Sequence, residues 1–182
     1  MIWWLNIQPN TNLWKIHELQ MKKNETRLTT IGKAFHCLME FSGDFTNLSH
    51  IKAKNLTSEF PLSSSDQNMV LQSIKKITNS VECMKLLDSD PTYILIESEW
   101  ISEFGEILRP DRVDFNLCEK TINIIDFKWR ISEKQKNSYV LQMLKYQKLI
   151  ESNYPDMVVK SFLVSSEGQI SYIQGHQLLH LY

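Results

Sequence analysis

Acidic and basic side chains come together at two places along this 182-residue chain: Arg109-Pro110-Asp111-Arg112-Val113 and, fifteen residues after Asp111, Asp126-Phe127-Lys128. Side chains two apart in a strand share a face, so Asp126 and Lys128 project together, and Asp111 on the preceding strand can face them across a sheet. Two carboxylates converging on one point repel unless a hard cation sits between them, and oxygen ligands with open water positions suit Mg²⁺ or Mn²⁺. A lysine beside that cation can stabilise charge developing on a phosphate or help orient an attacking water. The plainer reading is a strand-end ion pair joining Asp126, Lys128 and a neighbour, because DxK triplets are common. Asp114 competes with Asp111, yet an odd spacing puts the two on opposite faces of a regular strand. Glu97 and Glu99 share a face of an earlier strand, and Glu97 is favoured by its distance to the Arg-Pro-Asp run. A solvated strand face accounts for both equally well.

The elements that must position these groups follow from periodicity. Ile31, Ala34, Phe35, Leu38 and Met39 predict a helix from Thr30, its N-cap, to near Gly43, with His36 and Glu40 on one face. Met69, Val70, Ile74, Ile77, Val81, Met84 and Leu87 predict one long helix, capped around Ser65 or Asp66 and stopped before Pro91. The period then becomes extended over Tyr93 to Ile96, Ile107 to Phe115 and Thr121 to Phe127, an antiparallel meander. Ser138 to Ser152 returns to helical spacing, and Val158 to Val164 is another strand, placed parallel to a meander strand by the crossover rule. The expected fold is a single α/β domain over residues 1–182, with a mixed central sheet flanked by helices. Residues 1–29 form an irregular arm, 30–90 a helical part and 91–173 the sheet core with its covering helix.

Composition narrows the function classes. Hydrophobic residues are 42% and charged residues 23% of the chain, with five Gly and five Pro, which is a globular and not a low-complexity composition. A net charge of -1 announces no bulk field for a polyanion, so such a partner must be met locally. Charge is nevertheless segregated: residues 82–119 hold ten Asp or Glu against Lys85, Arg109 and Arg112, and residues 128–148 hold six Lys or Arg against Glu133 alone. An acidic pocket beside a basic strip suits a metal-dependent enzyme acting on a polyanion; two solvated faces of opposite sign are the plainer account. Cys37, Cys83 and Cys118 are widely spaced with no CxxC, so neither a disulfide framework nor a zinc or iron-sulfur site is expected, and a reducing cytoplasm fits. The longest apolar run, Met1 to Leu5, is too short to span a membrane.

Four motifs in order resemble the RecB-type nuclease domains of the PD-(D/E)xK superfamily, as found at the C-termini of UvrD/RecB-like helicase-nucleases. They are Gly32-Lys33-Ala34-Phe35-His36, Asp111-Arg112-Val113, Ile124-Ile125-Asp126-Phe127-Lys128, and Gln142 with Tyr146 one turn apart on a helix. The resemblance runs from about Gly32 to Val164. It implies a restriction-endonuclease-like core and a DNA nuclease of repair or recombination. It implies Mg²⁺ or Mn²⁺ held by His36, Asp111, Asp126 and the backbone carbonyl of Phe127. Lys128 would then assist the nucleophile, Gln142 and Tyr146 would orient Lys128 or the DNA strand, and Arg112, Arg130, Lys134, Lys136, Lys145 and Lys148 are the candidates for backbone contacts. Some relatives carry four cysteines around an iron-sulfur cluster, and this chain has too few. It also has no GxxxxGK[ST] loop and so no motor of its own; if it works in a helicase-nuclease, the motor lies outside this sequence or on another chain. A nuclease-like module that binds DNA or a helicase without cutting, and a stand-alone site-specific endonuclease, remain the rival readings.

Overall fold

A computed structural model describes residues 27–41, 55, 59–175 and 177–181. Residues 1–26 of the expected arm lie outside the described residues, and Arg27 to Thr29 belong to the first helix, α1 (Arg27–Phe41). Its apolar stripe is buried as the spacing requires: Ile31, Ala34, Phe35 and Leu38 are each 0% exposed. The expected long helix is two, α2 (Ser64–Asn79) and α3 (Val81–Leu87). Ser63, not Ser65 or Asp66, caps α2: its hydroxyl accepts the Asp66 N–H at 3.1 Å and donates to the Asp66 carboxylate at 2.8 Å. Ser80 makes the break, giving its N–H to the carbonyls of Lys76 and Ile77 while its hydroxyl accepts the Cys83 N–H that opens α3. A serine that bonds the backbone locally offers the chain an alternative to continuing the helix.

The strands in chain order are β1 (Tyr93–Ile96), β2 (Trp100–Ile101), β3 (Ile107–Leu108), β4 (Arg112–Asn116), β5 (Thr121–Lys128), β6 (Val158–Ser165), β7 (Ile170–Gln174) and β8 (Gln177–Leu181), with helix α4 (Glu133–Asn153) between β5 and β6. Six of them form a mixed sheet in the order β1-β4-β5-β6-β7-β8, and β2 with β3 forms a separate hairpin. β5 and β6 are parallel, joined through α4, and the other neighbours are antiparallel. The expected single run from Ile107 to Phe115 is split at Pro110, which lacks an N–H for the ladder. β7 and β8 carry the sheet past residue 173, and α4 begins at Glu133 rather than Ser138.

Both sheet faces are covered. Val140, Met143, Tyr146 and Ile150 of α4 pack on Val113, Phe115, Ile122, Ile124 and Leu163. The helices α1 to α3 pack on Ile125, Phe127, Val164 and Ile170 on the other side. β5 thus turns Ile122 and Ile124 to α4 and Ile125 and Phe127 to the other helices, and Asp126 and Lys128 follow on the α4 face where the strand runs out. The fold is thus mixed α/β, a six-stranded mixed sheet flanked by helices. No described helix is long and apolar enough to cross a membrane.

Candidate active site

The last ladder pair between β4 and β5 at this end is Arg112 with Ile125, so Asp111 and Asp126 stand opposite one another one step further. There the Asp111 carboxylate takes over from the backbone: its Oδ2 accepts the Phe127 N–H at 2.6 Å. The Lys128 carbonyl accepts from Ser166 N on the β6 side at 3.0 Å. Because successive strand residues direct their peptide groups to alternate sides, the N–H and C=O of Phe127 both face Asp111. The Asp111 carbonyl accepts the Glu97 N–H at 3.0 Å. Glu97 has φ 49, a left-handed conformation that ends β1 and costs a non-glycine residue free energy.

Three other elements reach this point. From α1, His36 Nδ1 lies 3.3 Å from Asp111 Oδ2. From β5, the Lys128 ammonium forms an ion pair with Asp126 and sits 5.0 Å above the Tyr139 ring of α4. Also from α4, Gln142 Nε2 donates to the Tyr146 hydroxyl at 2.7 Å, and that hydroxyl donates to the Arg109 carbonyl at 3.2 Å. Gln142 and Tyr146 thus pin the chain two residues before Asp111, while Tyr139 is the α4 side chain on Lys128. Gly32 lies one turn before His36; a Cβ there would meet Trp129 Cβ at 3.8 Å, ordinary contact, so space alone does not demand glycine.

The electrostatics are those of crowded carboxyls. Burial, then the Asp111 charge, push the Asp126 carboxyl up to about 7, against the pull of Lys128 and His36. Burial and the neighbouring Glu97, with Asp111 beyond it, raise Glu40. Burial would lower the His36 imidazole, but its contact with Asp111 outweighs this and holds it above its ordinary value. Burial and the charge of Asp126 push the Tyr146 hydroxyl up to about 12. Four acidic groups, Glu40, Glu97, Asp111 and Asp126, are therefore gathered around His36 and Lys128, with Arg109 paired to Glu97 at the edge.

Other expected residues fall elsewhere. Arg112 is 2% exposed, donates to Asp114 Oδ1 at 2.6 Å and to the Leu87 carbonyl at 2.7 Å, and so is turned into the domain away from any DNA backbone. Asp114, the competitor of Asp111, is taken up by that buried pair on the α3 side of the sheet. Glu99 is exposed and joins no described contact with the site. Arg130 and Lys134 are exposed. Lys136 pairs with Glu133 at 2.6 Å, Lys145 with Glu106 at 2.7 Å, and Lys148 approaches Glu103 at 3.9 Å. Sequence reasoning placed Glu40 on the His36 face and Arg109 in the Arg-Pro-Asp run but gave neither of them, nor Tyr139, a role at the site. Glu40 and Tyr139 carried a signal, being one helical turn from His36 and from Gln142 respectively.

Imidazole and carboxylate donors, with the Asp126 carboxyl pushed up to about 7 by burial and the Asp111 charge, fit a hard divalent cation in chemistry. Among the described residues no three His, Cys, Asp or Glu side chains already stand close enough together to hold one. Asp126 is engaged by Lys128, and Asp111 by Phe127 and His36, so uptake requires these contacts to exchange. No protein-family model matches the chain, and no curated protein matches it.

Proposed function

We propose that this chain is a metal-dependent DNA nuclease with a restriction-endonuclease-like core, of the RecB type, working with a helicase motor in repair or recombination. The observation that carries the reading is the meeting of Asp111, Asp126, Lys128 and His36 at one end of the sheet, where burial and the Asp111 charge push the Asp126 carboxyl up to about 7. His36, Asp111, Asp126 and the Phe127 carbonyl would hold Mg²⁺ or Mn²⁺, which when bound polarises the phosphate and lowers the pKa of water. Lys128, released from Asp126 and steadied by Tyr139, orients the attacking water and stabilises charge on the phosphate. The Gln142–Tyr146 pair holds the segment that carries Asp111 in place. Arg130 and Lys134 bind backbone phosphates directly, and Lys136, Lys145 and Lys148 do so by leaving acidic partners that, at the surface, hold them by only about 0–1 kcal/mol.

Labelled linear and circular DNA incubated with Mg²⁺, Mn²⁺, Ca²⁺ or EDTA tests this. The expected result is cleavage with Mg²⁺ or Mn²⁺, little with Ca²⁺ and none with EDTA. A protein that binds DNA and never cuts under any of these metals is instead a nuclease-like binding module.

A further inference from the structure

Beside the proposed catalytic centre, a groove of about 500 Å³ runs between the β2–β3 hairpin and α4. This is within the roughly 300–1,000 Å³ typical of small-ligand sites. Arg109, Gln142 and Tyr146 line it, and the same three residues pin the segment two residues before Asp111, which sets the groove beside the proposed centre. Its walls include Ile107 and Leu141, apolar side chains left 62% and 61% exposed. Arg109 is fixed at two points, by Tyr146 on its carbonyl and by Glu97 on its Nε, yet its side chain remains 53% exposed. A guanidinium tied along one edge and open along the other presents its remaining N–H groups to an anion without first losing freedom. An oriented cation and apolar walls in one groove match a phosphate carrying a flat, partly apolar group.

We propose that this groove is a nucleotide subsite. It takes the nucleoside phosphate unit flanking the scissile bond, with Arg109 binding its phosphate and Ile107 and Leu141 packing against its base. The identity of the ligand rests on the nuclease reading; the presence of a phosphate-bearing aromatic site does not.

Two variants test it, Arg109→Ala and Leu141→Glu, the second placing a charge on an exposed wall and leaving the Glu97 contact intact. Circular dichroism first confirms that both fold. Calorimetry or NMR titration with a deoxynucleoside 5′-monophosphate then reads the subsite, and steady-state kinetics on an oligonucleotide reads its use. The expected result is mononucleotide affinity weakened about ten- to hundredfold in Arg109→Ala, as for loss of a charge-assisted hydrogen bond, and about as much in Leu141→Glu, which replaces the apolar wall with a carboxylate that repels the phosphate, with KM raised more than kcat is lowered. Mononucleotide binding that is Arg109-dependent in a wild type that cuts no DNA leaves the subsite standing and removes the nuclease reading. Active cleavage with mononucleotide affinity and KM unchanged in both variants, or no mononucleotide binding by wild type at millimolar concentration, overturns the subsite.

Discussion

Replacing Lys128 separates the two things this lysine does. Its side chain, only 14% exposed, is paired through the ammonium with Asp126 and steadied by the Tyr139 ring, so Lys128→Ala and the bulk-preserving Lys128→Met both remove a charge from a largely buried site. If that charge acts on the phosphodiester only as it is attacked, turnover falls by on the order of 10²–10³, about 2.7–4 kcal/mol, while DNA affinity in Ca²⁺ stays within a few-fold. A second effect follows from Asp126, which burial and Asp111 already push up to about 7 and which Lys128 holds down. Without Lys128 the carboxyl rises further, so near pH 7 it is mostly protonated and must release a proton to bind a metal. That part of the loss is recovered by raising pH, about tenfold per unit until Asp126 ionises, whereas the transition-state part is not. The assay is single-turnover cleavage of an end-labelled oligonucleotide at about pH 7 and about pH 9, beside a binding isotherm in Ca²⁺. Equal losses in binding and cutting, or wild-type turnover in either variant, would refute the reasoning.

Three further outcomes are expected. Mn²⁺ affinity, measured by calorimetry, should fall as pH is lowered through about 7, where Asp126 takes up a proton, with protonation of His36, held above its ordinary value, adding to the fall; a flat profile from pH 5 to 8 would remove both from the site. Asp114→Ala should destabilise by about 3–5 kcal/mol in urea unfolding, because it leaves Arg112 charged at 3% side-chain exposure, whereas the double change Arg112→Met with Asp114→Leu should be neutral or stabilising; a small loss in the single variant would show that the Leu87 carbonyl suffices. Gly168 has φ +74 and a Cβ there would come within 2.9 Å of the Lys76 carbonyl, so Gly168→Ala should lower the urea midpoint by the equivalent of about 1–3 kcal/mol, and an unchanged midpoint would mean that the β6–β7 turn moves freely.

Where a helix buries one face its period was legible, as in the Ile31 to Met39 stripe and the helix through Met143 and Tyr146, while β5 and β6, buried on both faces, were legible as apolar, β-branched runs. Misplaced boundaries arose from local backbone chemistry that periodicity does not register. Ser80 satisfies both ends of a broken helix, and Pro110 removes a ladder donor inside an apolar run. β7 and β8 went unseen because β7 depends on pairing with β6, whose place is fixed only by the tertiary fold, and β8 in turn on β7. At the site, strand parity brought Asp111, Asp126 and Lys128 together correctly and excluded Asp114. What parity could not show is that Arg112 would be consumed by Asp114, or that Glu97, through a left-handed turn, would anchor Asp111 by its own N–H. Lys145 and Lys148 looked free in a basic strip because their partners, Glu106 and Glu103, lie far back along the chain in the hairpin.

The measurement that bears most directly on the proposed centre is an anomalous difference map from crystals of this protein soaked in Mn²⁺. The expected result is one peak coordinated by the Asp111 and Asp126 carboxylates, the His36 imidazole and the Phe127 carbonyl, with Lys128 moved off Asp126 toward the open side of the ion. No peak at this position, with Asp126 still paired to Lys128 and Asp111 still bound to the Phe127 N–H, would contradict it.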